Sequence, residues 1–175
     1  MGLFGLLRRK PHERAGFSLY TAAVGAARNP LVFDALGVPD TLDGRFDLVS
    51  LHVALLIRRL RADADPAGPE LAQAVFDAMF ADMDVNLREM GVSDLAVGKR
   101  VKRMWEAFHG RALAYEAALN GEGDLADALR RNVWRGEAPE GAAEALAARA
   151  RAVATALDAQ GMAALKAGQV EFPPA

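Results

Sequence analysis

VPDTLDGRFDLVSLHVALLIRRL, residues 38–60, is the stretch that decides the fold. Asp40, Thr41 and Asp43 offer alternative helix caps, Gly44 loosens the first turn, and no breaker follows before residue 62. Projected onto a helix, Leu48, Leu51 and Leu55 fall on one apolar face, and Phe46, Val49, Val53, Leu56, Ile57 and Leu60 on another. Only a narrow side carrying Asp47, Ser50, Ala54, Arg58 and Arg61 reads as solvated. A helix apolar around that much of its circumference has to be wrapped by others. Residues 44–61 are therefore expected to form the buried central helix of an all-α bundle.

The flanking sequence supplies the wrapping. Ser18 reads as the N-cap of a helix that Asn29-Pro30 ends, LVFDALG (31–37) as a short turn, and ADADPAGP (62–69) as a surface loop. A long helix from Glu70 towards Met90 gathers Val75, Phe76, Met79, Phe80, Met83, Leu87 and Met90 on one face, with Gly91 placed as a C′ glycine. Another begins near Val97, with the stripe Val97, Val101, Met104, Trp105, Phe108, Ala112, Tyr115 and Leu119 facing away from Lys99, Lys102 and Arg103. After NGEG (120–123), a short helix through Trp134 and an Ala-rich one from Pro139 to Lys166 are expected. The organisation that follows is a single-domain bundle of about six to seven helices. Residues 1–16 read as a flexible hydrophobic and basic arm, 17–166 as the helical domain and 167–175 as a disordered tail.

Composition removes several function classes. With 175 residues and 52% apolar content, the chain can bury a real core. The absence of cysteine excludes disulfides, thiolate catalysis and cysteine-based zinc sites. A net charge of −2 gives no global case for nucleic acid, and no DNA partner is expected. In MGLFGLLRRKP the apolar run is too short for a secretory signal and its charges follow rather than precede it; Leu6 stands where a myristoylation motif wants Ser or Thr. No segment approaches the roughly 20 apolar residues that span a bilayer.

Catalytic patterns are also missing. DMDVN (82–86) begins like a calcium loop, but Leu87 and Ser93 stand where Gly and Glu are needed. His12, His52 and His109 have no metal-site spacing, and His52 reads as a hydrogen-bonded core histidine. With no nucleophile elbow, phosphate loop or dinucleotide fingerprint, the reading is non-enzymatic with no cofactor. Asp82 falls at the edge of an apolar face and is expected to be partly buried against Arg45, Lys99 or Arg100. KRVKR (99–103) reads as a solvated basic face able to meet an acidic partner, with Trp105 turned into the core.

Three stretches carry a resemblance: residues 38–60, FDAMFADMDVNLREMGVSDLAVGKRVKRM (76–104) and FHGRALAY (108–115). In that order they resemble the ubiquinol–cytochrome c chaperones, assembly factors of the cytochrome bc1 complex, over roughly residues 17–120. The resemblance implies an all-helical chaperone that handles newly made cytochrome b. In mitochondria such proteins act at the inner membrane, partly at the ribosomal exit tunnel with a small partner subunit. The Ala- and Arg-rich composition without a transit sequence points to a bacterial version, cytoplasmic and peripherally associated with the inner membrane. A client chaperone needs an accessible apolar or Met-rich surface. The partner-binding candidates are Arg45, Met79, Phe80, Asp82, Met83, Arg88, Met90, Lys99, Lys102 and Arg103, the basic ones orienting the domain on an anionic membrane surface. Two alternatives come from other classes: a ribosome- or RNA-binding adaptor using the basic face, and a heme or small-molecule carrier with a cavity reached by His52 or His109.

Overall fold

The computed structural model describes residues 12–174, which form α-helices and no strand. In chain order they are α1 (Glu13–Ala27), α2 (Pro30–Leu36), α3 (Leu42–Arg61), α4 (Ala67–Glu89), α5 (Asp94–Leu119), α6 (Leu125–Val133), α7 (Ala142–Asp158) and the five-residue α8 (Met162–Lys166). Of the alternative caps, Thr41 starts α3: its Oγ1 accepts from the Gly44 N–H at 3.1 Å. α3 is the central helix, touching α1, α4, α5, α6 and α7. Leu48, Leu51, Leu55, Leu56 and Leu60 are all buried. Where α1 crosses α4, a Cβ on Gly16 would fall 2.5 Å from the Ala74 Cβ, so only glycine permits that approach.

The side of α3 that reads as solvated is largely inside. Asp47, Ser50 and Ala54 are buried, while Arg61 reaches solvent. Asp47 is held by Arg111 of α5, whose Nη2 lies 2.8 Å from Oδ1, and by Arg135 beyond α6, whose Nη1 donates to Oδ2 at 2.7 Å. Arg111 also lies over the Phe46 ring. Burial pushes the Asp47 carboxyl up from its ordinary range and the two guanidinium groups pull it down; burial dominates. At the other end, buried Arg59 donates from Nε to Leu157 O at 3.1 Å and from Nη2 to Gln160 O at 2.7 Å. Its charge thereby caps the negative C-terminal end of α7.

Other boundaries move for local reasons. α1 begins at Glu13, inside the expected arm; Ser18 lies within the helix, its Oγ donating to Arg14 O at 3.1 Å instead of capping. The rest of the arm, residues 1–11, lies outside the described residues. The expected turn at 31–37 is helical: Asn29 Oδ1 accepts from Leu31 N at 3.0 Å and Pro30 takes the first turn, so Asn-Pro ends one helix and starts the next. Asp65 Oδ1 likewise accepts from Ala67 N, starting α4 within the expected loop. The long C-terminal helix divides into α7 and α8 at an extended Gly161. The tail is docked rather than disordered: Gln160 donates from Nε2 to Glu171 O at 2.7 Å and accepts from Glu171 N at 2.8 Å, and Phe172 packs 5.8 Å from the His52 ring.

Two stability predictions follow from this interior. Asp47→Ala leaves the Arg111 charge largely buried without its partner and should cost about 3–5 kcal/mol in urea unfolding. Asp47→Leu combined with Arg111→Met should recover most of that loss; no recovery would show that the pair itself is indispensable. His52 is buried, with Nδ1 2.8 Å from Leu48 O, and burial lowers its pKa to about 4. The unfolded chain, near 6.5, binds that proton more readily. Stability should therefore be complete above about pH 6.5 and fall towards pH 4 by about 1.4 kcal/mol per pH unit. His52→Gln should flatten the slope between pH 6.5 and 5, above the carboxylate range.

Candidate partner-binding surface

The surface begins as a helical hairpin. Gly91, at φ 81°, lets Val92 N–H bond Leu87 O at 3.1 Å and Gly91 N–H bond Arg88 O at 2.9 Å, closing α4 in a Schellman motif. Arg88 holds the two helices together at the turn: Nε donates to Asp84 Oδ2 at 2.6 Å and Nη1 contacts Asp94, the first residue of α5. This keeps the Asp84 carboxyl below its ordinary range. Behind the turn the seam is aromatic. Phe76 lies 4.8 Å from Phe80 and 5.8 Å from Phe108, and Phe80 meets Phe108 edge-on at 6.1 Å.

The structure divides the sequence-derived candidates. Met79 and Met83 are buried and line the inside of the seam, whereas Phe80 is half-buried and Met90 is 59% exposed. Asp82 is partly buried as expected, but its partner is none of the three basic residues anticipated. Tyr20 of α1 donates to Asp82 Oδ2 at 2.7 Å, and burial together with that contact pushes the Tyr20 hydroxyl well up. Arg45 is exposed and taken up by Asp40, to which Nε donates at 2.6 Å, holding the Asp40 carboxyl low; it belongs to the start of α3 rather than to the hairpin. Lys99, Lys102 and Arg103 are exposed on α5 together with Arg100.

Sequence reasoning missed the apolar part of the outer surface. Leu95 is 95% exposed and Leu113 is 59% exposed. Trp105, expected in the core, is 43% exposed and stacks on His109 with centroids 5.0 Å apart. Val97, Phe108, Tyr115 and Ala118 take the inward positions of α5, leaving Trp105 on the flank. With His109 and Leu113 it forms one i, i+4, i+8 ridge. His109 is thus at the surface and His52 is sealed against Leu48 O and Phe172. Among the described residues, no cluster of three His, Asp or Glu side chains is placed to hold a metal, and no helix is long and apolar enough to cross a membrane.

Comparison with known proteins places these features in a family. The chain is 26% identical over 120 residues to the ubiquinol-cytochrome-c reductase complex assembly factor 1 of Xenopus laevis, a match covering 68% of this chain and 60% of that protein. It therefore spans about 60% of the length of that relative. Its fold matches the crystal structure of the Cbp3 homolog from Brucella abortus with a TM-score of 0.81 and 35% identity, covering 94% of this chain and 92% of the other. The family profile described as ubiquinol-cytochrome C chaperone matches residues 34–172, extending the similarity through α6, α7 and the docked tail. The chain belongs to the ubiquinol–cytochrome c chaperone family.

Proposed function

We propose that this chain is an assembly factor of the cytochrome bc1 complex that binds newly made cytochrome b through protein–protein contact, without catalysis, while peripherally associated with the inner membrane. The observation that carries the reading is the family match over residues 34–172, which takes in the whole bundle from α3 to the tail. The outer surface of α5 supports it physically. Its core side is occupied by buried residues, yet Trp105 and Leu113 remain exposed, and Phe80 and Met104 are only half-buried. Apolar surface left over after the core is satisfied, on a rigid helix, suits an apolar client segment. An accessible tryptophan is the residue type most often dominant in such contacts.

In this arrangement Met79 and Met83 support the client face from within, and Phe80, Trp105 and Leu113 touch the client. Affinity-tagged chain recovered from detergent-solubilised bacterial membranes should bring cytochrome b with it. Removing the chain from the cell should lower the assembled bc1 complex, read from its cytochrome absorbance. Trp105→Ala with Leu113→Ser should reduce cytochrome b recovery at least about tenfold without changing the melting temperature. Recovery of ribosomes without cytochrome b would replace this reading with the RNA-binding adaptor.

A further inference from the structure

We propose that the tip of the α4–α5 hairpin is a docking surface for an anionic lipid bilayer. Met90 and Leu95 flank the connection and project from it, 59% and 95% exposed. The exposure of Leu95 is imposed by the fold: Val97 two residues later is completely buried and fixes the rotation of α5, so Leu95 must face outward. Immediately behind this apolar edge stand Lys99, Arg100, Lys102 and Arg103, all exposed. Among the described residues Lys99, Arg100 and Arg103 make no ion pair, and Lys102 reaches Glu106 only at 3.9 Å. At the turn Asp84 and Asp94 share Arg88, and Glu89 is exposed. The five cations Arg88, Lys99, Arg100, Lys102 and Arg103 thus face the four carboxylates of Asp84, Glu89, Asp94 and Glu106, and the free cations of the collar stand on the α5 side of the tip. The tip thus presents uncovered apolar side chains with a basic collar.

That combination selects the partner. Apolar side chains can enter the boundary between headgroups and acyl chains while the cations hold lipid phosphates. A nucleic-acid backbone would use the cations but leave Leu95 on the leading edge facing water. The tip is also separate from the client ridge. At 1.5 Å per residue along α5, Leu95 lies about 15 Å from Trp105 and about 27 Å from Leu113. Docking by the tip leaves the ridge free beside the membrane, which is where the assembly reading requires it; the inference takes only that orientation from the reading.

The test is flotation of the full chain with vesicles. Vesicles containing phosphatidylglycerol should carry it and phosphatidylcholine vesicles should not, with binding falling as salt is raised. Replacing all four basic residues (Lys99→Glu, Arg100→Glu, Lys102→Glu, Arg103→Glu) should reduce binding at least about tenfold. Met90→Asp with Leu95→Asp should weaken it several-fold although the collar is intact. Circular dichroism checks that both variants are folded. Both should still capture cytochrome b from detergent-solubilised membranes, since the ridge is untouched. Vesicle binding without cytochrome b capture by the unaltered chain would support the docking surface and defeat the assembly reading. Equal binding to neutral vesicles, or indifference to the Met90 and Leu95 changes, would overturn the docking surface. So would ribosome binding that depends on the basic residues alone.

Discussion

Leu48, Leu51, Leu55, Leu56 and Leu60, spread over a broad arc of α3, are withdrawn from water, and no single neighbouring helix can cover them all. Each is worth roughly 1.5–3 kcal/mol when buried, so the chain must surround α3. This one requirement directs the apolar faces of α1, α4, α5, α6 and α7 inward and turns the rest of the molecule into a shell. Apolar side chains still outside after that allocation, such as Leu95, Trp105 and Leu113, are surplus to folding. Their position on one helix gives the outer surface its character.

Polar groups inside the shell set how its parts fit. Asp47 joins α3 to α5 and to the segment after α6, and Arg59 joins α3 to the end of α7. A buried charge tolerates few geometries, because losing its partner is costly whereas an apolar contact can slide. The leucines make burial of α3 obligatory, and the charges fix which neighbours stand where. Tyr20 and Asp82 make a similar connection between α1 and α4.

The long helices, the central place of α3 and the Gly91 turn were legible because each depends on local periodicity or backbone conformation. The family resemblance was legible over roughly residues 17–120, and the family profile carried it on to residue 172. What sequence could not resolve was the fate of polar residues whose partners are distant. Asp47 lies 88 positions from Arg135, so a helical projection places it in water when the fold places it in the core. Asp82 went to Tyr20, 62 residues away, for the same reason. Met79 and Met83 share a face with Met90, but a face says nothing of where the neighbouring helix stops covering it. Trp105 belongs to the α5 stripe by period and to the surface by angle, a difference that only the packing of Val97 and Phe108 resolves.

Arg59 also bears on the order in which the molecule can be completed. Its bonds reach Leu157 and Gln160, separated from it by 98 and 101 positions, and Phe172 closes over His52 from farther still. During synthesis α3 emerges long before the segment that seals it. For that interval the helix that ends most deeply buried has one open flank, and distant pairings of this kind form slowly. A protein of a chaperone family is thereby itself a nascent chain with an uncovered greasy helix, exposed to the same hazard of aggregation as a client until its own α7 arrives.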